Sequence, residues 1–405
     1  MKFLTETAQS LREQTFRDFE WILVPNSGCR EIPPEVTAGL PAMVGRYIGP
    51  ARSIGNVKRV ACEYARGDVI VELDHDDLLT PDALGKVAKA FEDPEALSVY
   101  SNCAEFWTES WKPRVFSEAF GWRYRDFEYR GHKLKETVAF PPNPQTLSSI
   151  LFTPNHLRAW RTTTYQELGG HDVEMKVADD YDLMCRLFLA GKMVHIDECL
   201  YLYRLHDGNS CYQPDLNPEI QQATLRVRDK YLQSMVEVWA LSNEFPMIDL
   251  CCGANAPEGY IGVDRTPSGQ VVWDLDDAPW PFTDSSVGVV RAFDALEHLR
   301  DPVQTMTEIY RILRPGGWLL SLTPSTDGRG AFQDPTHCSF WNEHSFWYWT
   351  RKQQAAFIGH SARFQEIRCI TFFPEEWHKE HNIPYVRADL VAIKGNYSGA
   401  GAVLI

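Results

Sequence analysis

The sequence lacks an apolar run long enough to cross a bilayer, although the chain is 405 residues long. A membrane-spanning helix needs about 20 consecutive apolar residues, and the uninterrupted apolar runs here are far shorter. The opening residues, MKFLTETAQSLREQ, also lack the apolar core of a signal peptide. These absences predict a soluble, cytoplasmic protein with no membrane span.

Paired cysteines are also missing. The ten cysteines include no C-x-x-C spacing, and only Cys251 and Cys252 are adjacent. Structural zinc sites and redox-active cysteine pairs depend on such short spacings. The pattern therefore predicts reduced thiols, as is usual for cytosolic proteins.

An excess of positive charge is absent from both parts of the chain. Residues 1–245 contain 27 Lys and Arg against 36 Asp and Glu, and residues 246–405 contain 13 against 19, which gives the net charge of −15. Proteins that bind polyanions usually present a basic surface that neutralises phosphates. Nucleic acid is therefore a disfavoured partner, although a local basic groove stays open.

What is present is strand–helix alternation in two separate regions. At roughly 100–200 residues per domain, the length predicts two or three domains. Alternation of this kind is typical of α/β proteins and favours a mostly parallel, doubly wound sheet. We predict a first domain at 1–212, a helical connector at 213–245, a second domain at 246–394 and a tail at 395–405.

The first region carries a cluster of acids directly after an apolar strand, DVIVEL at 68–73. Asp74, Asp76 and Asp77 fall within four residues there. In open α/β sheets, ligands bind beyond the carboxyl ends of the strands, and Mg²⁺ or Mn²⁺ prefers carboxylate ligands together with substrate phosphates. The alternative interpretation is a polar turn that caps the next helix, where acids are also favoured.

Two later motifs decide between these interpretations. ADDYDL follows at 178–183 and YRLH at 203–206, after the segments SLREQTFRDFEWILV and GNVKRVACEYARGDVIVELDHDDLLTPDAL. In this order, the motifs resemble the family 2 glycosyltransferases of the GT-A fold over roughly residues 4–210. The resemblance implies a metal-dependent enzyme that transfers sugar from a nucleotide-diphosphate donor, favoured as a UDP-sugar, and inverts the anomeric centre.

The resemblance also implies residue roles. Asp74 would bind the ribose side of the donor, and Asp76 the metal that bridges the diphosphate. The remaining assignments are Lys58 for donor binding, His206 for the metal, Asp180 for the general base and Asp179 for orienting the acceptor. The metal would be Mn²⁺ or Mg²⁺. A carboxylate base suits this reaction because a sugar hydroxyl is a poor nucleophile until its proton is removed.

Two further features of the sequence bear on this resemblance. Family members begin with an apolar strand before the first helix, whereas Met1 lies at the start of that helix, so we expect the first strand to be missing. An aromatic segment, 106–129, also carries Arg123 and Arg125 with Arg130 following. Aromatic rings suit sugar or base stacking, but they equally suit a hydrophobic subcore, and the arginines keep a nucleic-acid acceptor open.

The second region begins with a strand that breaks into a glycine turn, IDLCCGAN at 248–255, followed by the strand YIGVD at 260–264. With ALEHL at 295–299, RILRPGG at 311–317 and QDPTH at 333–337, the order resembles class I S-adenosylmethionine-dependent methyltransferases. A dehydrogenase is disfavoured because G-x-G-x-x-G is absent. Cys251 stands where this family usually has its first glycine, and Gly288 replaces a usual aspartate.

This second resemblance implies a cofactor site for S-adenosylmethionine. Asp249 and Gly253 would line its methionine end, Asp264 would bind the ribose, and Asp274 would lie near the adenine. His337 and His298 are possible bases for methyl transfer to an alcohol, and the alternative for each is a structural role.

Together the two resemblances predict an α/β protein of two domains, an N-terminal GT-A fold and a C-terminal Rossmann-like methyltransferase fold. The predicted function is glycosyl transfer followed or preceded by O-methylation of the sugar or its acceptor, a saccharide or glycoconjugate. Two alternatives stay open. One is a viral-type glycosyltransferase that modifies hydroxylated bases in DNA, and the other is a binding module with degenerate catalytic sites.

Overall fold

The computed structural model describes residues 3–26, 29–47, 49, 53–150, 153–209 and 212–395. The chain divides into two compact units, Met1–Leu232 and Gln233–Ile405. Each unit has its own sheet and its own hydrophobic core. None of the helices in the described part of the chain is long and apolar enough to span a membrane.

Among its described residues, the first unit contains nine strands. They are β1 Trp21–Leu23, β2 Ala42–Val44, β3 Val69–Glu72, β4 Leu78–Leu79, β5 Ser98–Trp107, β6 Tyr124–Tyr129, β7 His132–Thr137, β8 Arg158–Arg161 and β9 Met193–Leu205. The main sheet has the order β3-β8-β5-β7-β6, with β9 pairing to both β5 and the short β4.

The strand directions correct one expectation. Within the main sheet β9 runs parallel to β5, whereas β8 runs antiparallel to both β3 and β5, and β7 runs antiparallel to β5. The sheet is therefore mixed rather than mostly parallel. The reason is that β8 enters between β3 and β5 in the opposite direction and that the antiparallel pair of β6 and β7 lies on the other side of β5.

In the part of this unit that the structure describes, seven α-helices belong wholly to it. They are α1 Leu4–Arg12, α2 Pro34–Thr37, α3 Ile54–Glu63, α4 Ala83–Ala90, α5 Pro144–Ser149, α6 Thr162–Glu167 and α7 Asp179–Ala190. The predicted helix after Thr80-Pro81 is confirmed as α4, and it buries Leu84 and Val87 at helical spacing against the core.

A gap separates β1 from β3. Strands β1 and β2 form a parallel pair of their own, and among the described residues β3 pairs only with β8. A cavity of about 1130 Å³ lies between these edges, lined by Trp21 and Ile22 on one side and by the β3 residues on the other. The expectation that a strand is missing from this domain stays a prediction.

The second unit contains one seven-stranded sheet with the order β12-β11-β10-β13-β14-β16-β15. Its strands are β10 Met247–Leu250, β11 Tyr260–Asp264, β12 Val271–Val272, β13 Val287–Phe293, β14 Leu313–Pro324, β15 Phe364–Phe372 and β16 Tyr385–Ala392. Strands β10 to β14 pair in parallel, and β16 is antiparallel to both neighbours. The carboxyl ends of β10, β11 and β13 therefore lie at one edge, where such sheets bind ligands.

Up to residue 395, where the described part ends, five α-helices lie wholly in the second unit, namely α9 Pro302–Ile312, α10 Gly330–Gln333, α11 Glu343–Thr350, α12 Lys352–Ile358 and α13 Glu376–Glu380. Helix α9 begins at a proline, and the Asp301 side chain accepts hydrogen bonds from two backbone amides of its first turn. Its Met306, Ile309 and Ile312 enter the core at helical spacing.

The predicted connector contains the longest helix, α8, at Asn217–Ser242. The two compact units divide within this helix, between Leu232 and Gln233. The predicted boundaries at 212 and 245 stay a proposal. Of the predicted tail, only Gly395 lies within the described residues.

Candidate functional sites

Pairing of β4 with β9 brings the acid cluster of the first unit to the late histidine. Leu78 pairs with Leu202, so the loop before β4 lies beside the end of β9. The buried Asp77 accepts hydrogen bonds from the Tyr201 hydroxyl at 2.8 Å and the Arg204 backbone amide at 2.7 Å. Asp77 therefore fixes the loop, and the other two acids are left to face the site.

The structure brings two of the predicted metal ligands together. Asp76 Oδ2 lies 2.9 Å from His206 Nε2, and both side chains are partly accessible. The third acid is set apart, because Asp74 Oδ2 lies 3.9 Å from His156 Nε2 instead. An oxygen and a nitrogen ligand thus converge 130 residues apart in sequence.

A buried group of charges extends from this loop to the second acidic motif. Arg158 is its centre, with ion pairs of 2.9 Å to Glu72 and 2.9 Å to Asp180. Lys58 contacts Glu72 and lies 3.8 Å from Asp179. His156 Nε2 lies 3.2 Å from Arg158 Nη2, so a chain of contacts joins Asp74 to Asp180.

The acidic pair lies at the N-terminus of α7, where the helix dipole favours carboxylates. The two acids differ in exposure, since the Asp180 side chain is 19% exposed and that of Asp179 is 3% exposed. The loop before the helix is held tightly against α3. A Cβ on Gly55 would lie 2.0 Å from the Asp172 carbonyl oxygen, so this position requires glycine.

Charge and burial act in opposite directions on the pKa values of the pair. Burial raises the pKa of Asp179 to about 7, although Lys58 partly offsets this effect. For Asp180, burial is outweighed by Arg158 and Lys58, and its pKa falls below the ordinary value. Glu72 follows the same rule, because Arg158 and Lys58 outweigh its burial and hold its pKa well below the usual range. Asp180 is thus ionised at neutral pH.

We expect Asp179→Asn to stabilise the folded protein increasingly as pH rises from 5 to 8. Between 3.8 and about 7 the folded protein keeps on Asp179 a proton that the unfolded chain releases, so this group makes the free energy of unfolding fall with rising pH. Asparagine removes that dependence, and the variant should gain roughly 1–3 kcal/mol relative to wild type at pH 8.

Urea unfolding at pH 5 and at pH 8 measures this difference. Asp172→Asn, an exposed acid in the preceding loop, is the control and should show no such trend. A variant that loses stability at pH 8 would show that the Asp179 carboxylate is needed as a partner of Lys58.

The aromatic segment divides between core and surface. Phe106, Tyr129 and Leu134 belong to a small buried cluster, and Trp111 stacks on Phe106. In contrast, Phe116 is 40% exposed and Phe120 is 51% exposed. The interpretation as a hydrophobic subcore therefore describes the buried rings of the segment. The interpretation as a stacking surface for a sugar or base stays a prediction for the exposed rings.

Two of the three arginines near these rings are already paired with carboxylates. Arg125 Nη2 lies 2.8 Å from Asp197 Oδ2, and Arg130 Nη2 lies 2.6 Å from Glu13 Oε2. This pairing reduces the positive charge that the segment offers to phosphates.

In the second unit, the structure brings three predicted cofactor residues to the carboxyl ends of β10 and β11. The Gly253 amide donates to Asp264 Oδ2 at 2.9 Å. Asp264 Oδ1 accepts from the amide and hydroxyl of Thr266, which fixes the carboxylate. Asp249 is buried and accepts from Arg291 Nη1 at 2.7 Å. The exposed Asp274 lies in the turn that follows β12, and its carboxylate accepts from the Asp276 amide.

Cys251, which stands where the family usually has its first glycine, lies in the turn after β10. Its φ is +52°, in the left-handed region that favours glycine, and Gly253 has a φ of +53°. Cys251 also packs against the core, and burial raises the pKa of its thiol to about 12. Cys251 thus adopts a backbone conformation that favours glycine.

We expect Cys251→Gly to be more stable than Cys251→Ala. Both variants lose the thiol, but only glycine relieves the left-handed strain, which costs an ordinary residue about 1 kcal/mol. The comparison is made by urea unfolding of the two variants. Equal stability of the pair would contradict a strained turn at this position.

The two predicted bases are also neighbours. The rings of His298 and His337 lie 5.0 Å apart, centroid to centroid, in an edge-on arrangement. His298 ends a short 3₁₀ turn after β13, and His337 lies in the loop before α11. Glu297, which the sequence analysis did not select, lies beside both.

Comparison with protein families identifies two domains of transferase type. The model for glycosyl transferase family 2 matches residues 1–148, and the model for a methyltransferase domain matches residues 226–321. The chain is a fusion of a family 2 glycosyltransferase domain and a methyltransferase domain.

Relatives were found for each part. A probable S-adenosylmethionine-dependent methyltransferase of Mycolicibacterium smegmatis is 42% identical over 64 residues, 15% of this chain and 25% of that protein. Chondroitin synthase of Pasteurella multocida is 27% identical over 161 residues, 40% and 15% of the two chains. An O-antigen biosynthesis protein of Myxococcus xanthus is 26% identical over 205 residues, 49% and 14% of the two chains. The chain thus spans a quarter or less of the length of these relatives.

Among solved structures, a fragment of S. aureus TarS, residues 1–349, in complex with UDP-GlcNAc is similar to the first part of the fold. The match has a TM-score of 0.44 and 17% identity, and it covers 59% of this chain and 67% of that chain.

Sequence reasoning missed Arg158, Glu72 and Glu297. Glu72 gave a weak signal, since it is an acid inside an apolar strand just before the acid cluster. Glu297 directly precedes His298, which was predicted as a possible base. The sequence around His298 does not show that His337 lies beside it in the fold. Arg158 gave no signal, because its partners lie 86 residues before it and 22 residues after it.

Proposed function

We propose that the first domain is an inverting, metal-dependent glycosyltransferase and that the second uses S-adenosylmethionine to O-methylate the sugar or its acceptor. The observation that carries the first half is the 2.9 Å contact between Asp76 Oδ2 and His206 Nε2, close to the Arg158–Asp180 pair. The donor would be a nucleotide-diphosphate sugar, with UDP as the favoured nucleotide.

The donor set at Asp76 and His206 fits a divalent ion. One carboxylate oxygen and one imidazole nitrogen suit Mn²⁺ better than Mg²⁺, which prefers oxygen ligands. When bound, such an ion would stabilise the charge that develops on the leaving diphosphate. Asp74 and Lys58 line the cavity that ends at this loop, which supports their proposed roles in donor binding.

Asp180 is proposed as the general base. It is the accessible member of the acidic pair, and Arg158 keeps it ionised and fixes one carboxylate oxygen. Its carboxylate would accept the proton of the acceptor hydroxyl as the hydroxyl oxygen bonds to the anomeric carbon and the diphosphate leaves. This single displacement inverts the anomeric centre. Asp179 would act through Lys58 and the loop, since its buried side chain has little access to an acceptor.

The residues of the second domain fit S-adenosylmethionine in the same way. The Gly253 turn leaves the backbone open to close approach by a ligand, and a Cβ there would meet no atom within 4 Å. Asp264, fixed at the end of the next strand, is placed to accept hydrogen bonds from ribose hydroxyls. When bound, the cofactor supplies an electrophilic methyl group, and the protein's contribution is alignment of the acceptor oxygen.

A saccharide or glycoconjugate acceptor is favoured over nucleic acid. Support comes from the names of the relatives, chondroitin synthase and an O-antigen biosynthesis protein. The exposed rings of Phe116 and Phe120 would suit stacking on a sugar. The carboxylate partners of Arg125 and Arg130 count against a phosphate-binding surface.

Mass spectrometry of the products tests the whole proposal. The full chain is incubated with UDP-sugars, Mn²⁺, S-adenosylmethionine carrying a ¹³C-methyl group, and a panel of saccharide acceptors. We expect products that gain one sugar and one labelled methyl group. Products with sugar but never methyl would overturn the methylation half, and methylation without sugar transfer would overturn the first half.

A further inference from the structure

A second group of metal-ligating side chains lies in the methyltransferase domain. Glu297, His298 and His337 each present one ligand atom, and these atoms all lie within 4.8 Å of one another. Across the described ranges, no other three histidine, cysteine or acidic residues converge in this way. One carboxylate and two imidazoles are a donor set suited to divalent transition metals.

The carboxylate of this group has an unused oxygen. Glu297 is 2% exposed, and its Oε2 accepts from the Thr323 hydroxyl at 2.7 Å. Its Oε1 is buried and has no hydrogen-bond partner among the described residues. A buried carboxylate oxygen without a partner is unfavourable, and a cation beside the two histidines would satisfy it.

Hydrogen bonds to the backbone prepare the histidines for a cation. His337 Nδ1 lies 3.0 Å from the Ala331 carbonyl oxygen, which can only accept, so the proton resides on Nδ1 and the lone pair on Nε2. His298 Nδ1 faces the hydroxyl of Thr336 at 3.2 Å and its carbonyl oxygen at 3.4 Å. Metal-binding histidines are typically oriented by such bonds through the other ring nitrogen.

The two segments that supply the ligands are fixed to each other. The amides of Cys338 and Ser339 donate to the Glu297 carbonyl oxygen at 2.8 Å and 3.0 Å, and the Ser339 hydroxyl donates to the Leu296 carbonyl oxygen at 2.7 Å. The arrangement is therefore built into the fold before any ion binds.

The group lies at the edge of the sheet where the cofactor is proposed to bind. It follows β13, the parallel neighbour of β10, and β10 leads into the glycine turn. Both Asp264 and Glu297 act on the pKa of the Cys251 thiol, which places the two groups within electrostatic reach of one residue.

We propose that Glu297, His298 and His337 bind one divalent transition-metal ion, of the Mn²⁺ or Zn²⁺ class, that holds the acceptor hydroxyl for methylation. The ion's role rests on the proposed function, whereas its binding does not. A metal-bound hydroxyl loses its proton to water more readily. Its oxygen then bonds to the methyl carbon as the carbon–sulfur bond breaks, and S-adenosylhomocysteine leaves. In this role the histidines are ligands rather than bases.

Binding of Mn²⁺ or Co²⁺ to the full chain tests the site without any substrate. The measurement is made in an Asp76→Asn, His206→Ala background, which removes the other proposed metal site. Equilibrium dialysis should give one ion per chain, and Co²⁺ should show the absorption bands of nitrogen ligation. His337→Ala should weaken binding at least tenfold, and so should the isosteric Glu297→Gln, while the exposed His344→Ala should leave binding unchanged.

No bound ion in the background protein, or unchanged binding in both ligand variants with native circular dichroism, would overturn the site. Methyl transfer is read separately with the labelled cofactor. If the ion binds as described but methyl transfer never occurs, the proposed methylation is overturned and the metal site is retained. Methyl transfer at an equal rate after chelation would keep the methylation and overturn the ion's role in it.

Discussion

Asp180→Asn is expected to lower the rate of glycosyl transfer by about 10²–10⁴-fold, the range that general acid–base catalysis contributes. Asparagine keeps the shape of the side chain and can still accept the hydrogen bond from Arg158, but it cannot take the acceptor's proton. Donor binding should be unchanged, because the donor is assigned to Asp74, Asp76 and Lys58. The initial rate of glycosyl transfer is measured at saturating donor concentration. The affinity for the donor is measured separately by calorimetry.

The matched control is Asp172→Asn, eight residues earlier in the chain and exposed, which should retain wild-type rates. Asp179→Asn separates the two members of the pair. A full rate in Asp180→Asn with a large loss in Asp179→Asn would contradict the assignment and make the buried acid the base.

Arg158→Met is expected to lower the free energy of unfolding by about 3–5 kcal/mol, as is typical when one partner of a buried ion pair is removed. Arg158 is almost fully buried and is paired with both Glu72 and Asp180. Methionine fills similar space but leaves two carboxylates with Lys58 as the remaining nearby cation of the group. Urea unfolding with a fixed m-value measures the change.

The loss in free energy of unfolding caused by Arg158→Met should be greater at pH 8 than at pH 5. Arg158 offsets the burial that otherwise raises the pKa values of Glu72 and Asp180 in the folded protein. Without Arg158 these pKa values rise above those of the unfolded chain, so the variant loses stability as pH rises, whereas the wild-type carboxylates stay ionised in both states from pH 5 to pH 8. Arg66→Met provides the contrast, since its guanidinium is 77% exposed and pairs with Glu20 on the surface. That variant should lose much less stability than Arg158→Met, because exposed ion pairs contribute little. Equal losses in the two variants would show that burial of the Arg158 group is not what stabilises the fold.

The order of the motifs carried a resemblance that implied one metal for Asp76 and His206, and in the structure the two side chains lie 2.9 Å apart. They meet because β4, which follows the loop of Asp76, pairs with β9. The apolar pattern predicted the strand Tyr260–Asp264, and the acid at its end lies beside the turn at Gly253. Local patterns sufficed here because strand ends in α/β sheets converge.

The buried charges were beyond such reasoning. Arg158 lies on β8, a short strand that the alternation did not reveal, and it forms ion pairs with residues from two other elements. Sequence patterns report periodicity along one element, whereas ion pairs of this kind depend on how elements pack. The mixed direction of the sheet was missed for the same reason, because the directions of β7 and β8 depend on the strands with which they pair.

The departure at Cys251 shows a different limit. The resemblance implies that a glycine is replaced, but the sequence does not show which backbone conformation the cysteine adopts. The structure shows a left-handed conformation there, with φ of +52° at the cysteine. Glu297 likewise stood beside a selected histidine, and only the fold brings it together with His337, 40 residues later.

The central claim is that Asp76 and His206 form a metal-dependent donor site. Calorimetric titration of the full chain with UDP, with and without Mn²⁺, tests it most directly. We expect binding that requires Mn²⁺, is lost in Asp76→Asn and His206→Ala, and is retained in His337→Ala, whose site belongs to the other domain. UDP binding that is equally strong without Mn²⁺, or that survives both substitutions, would contradict the claim.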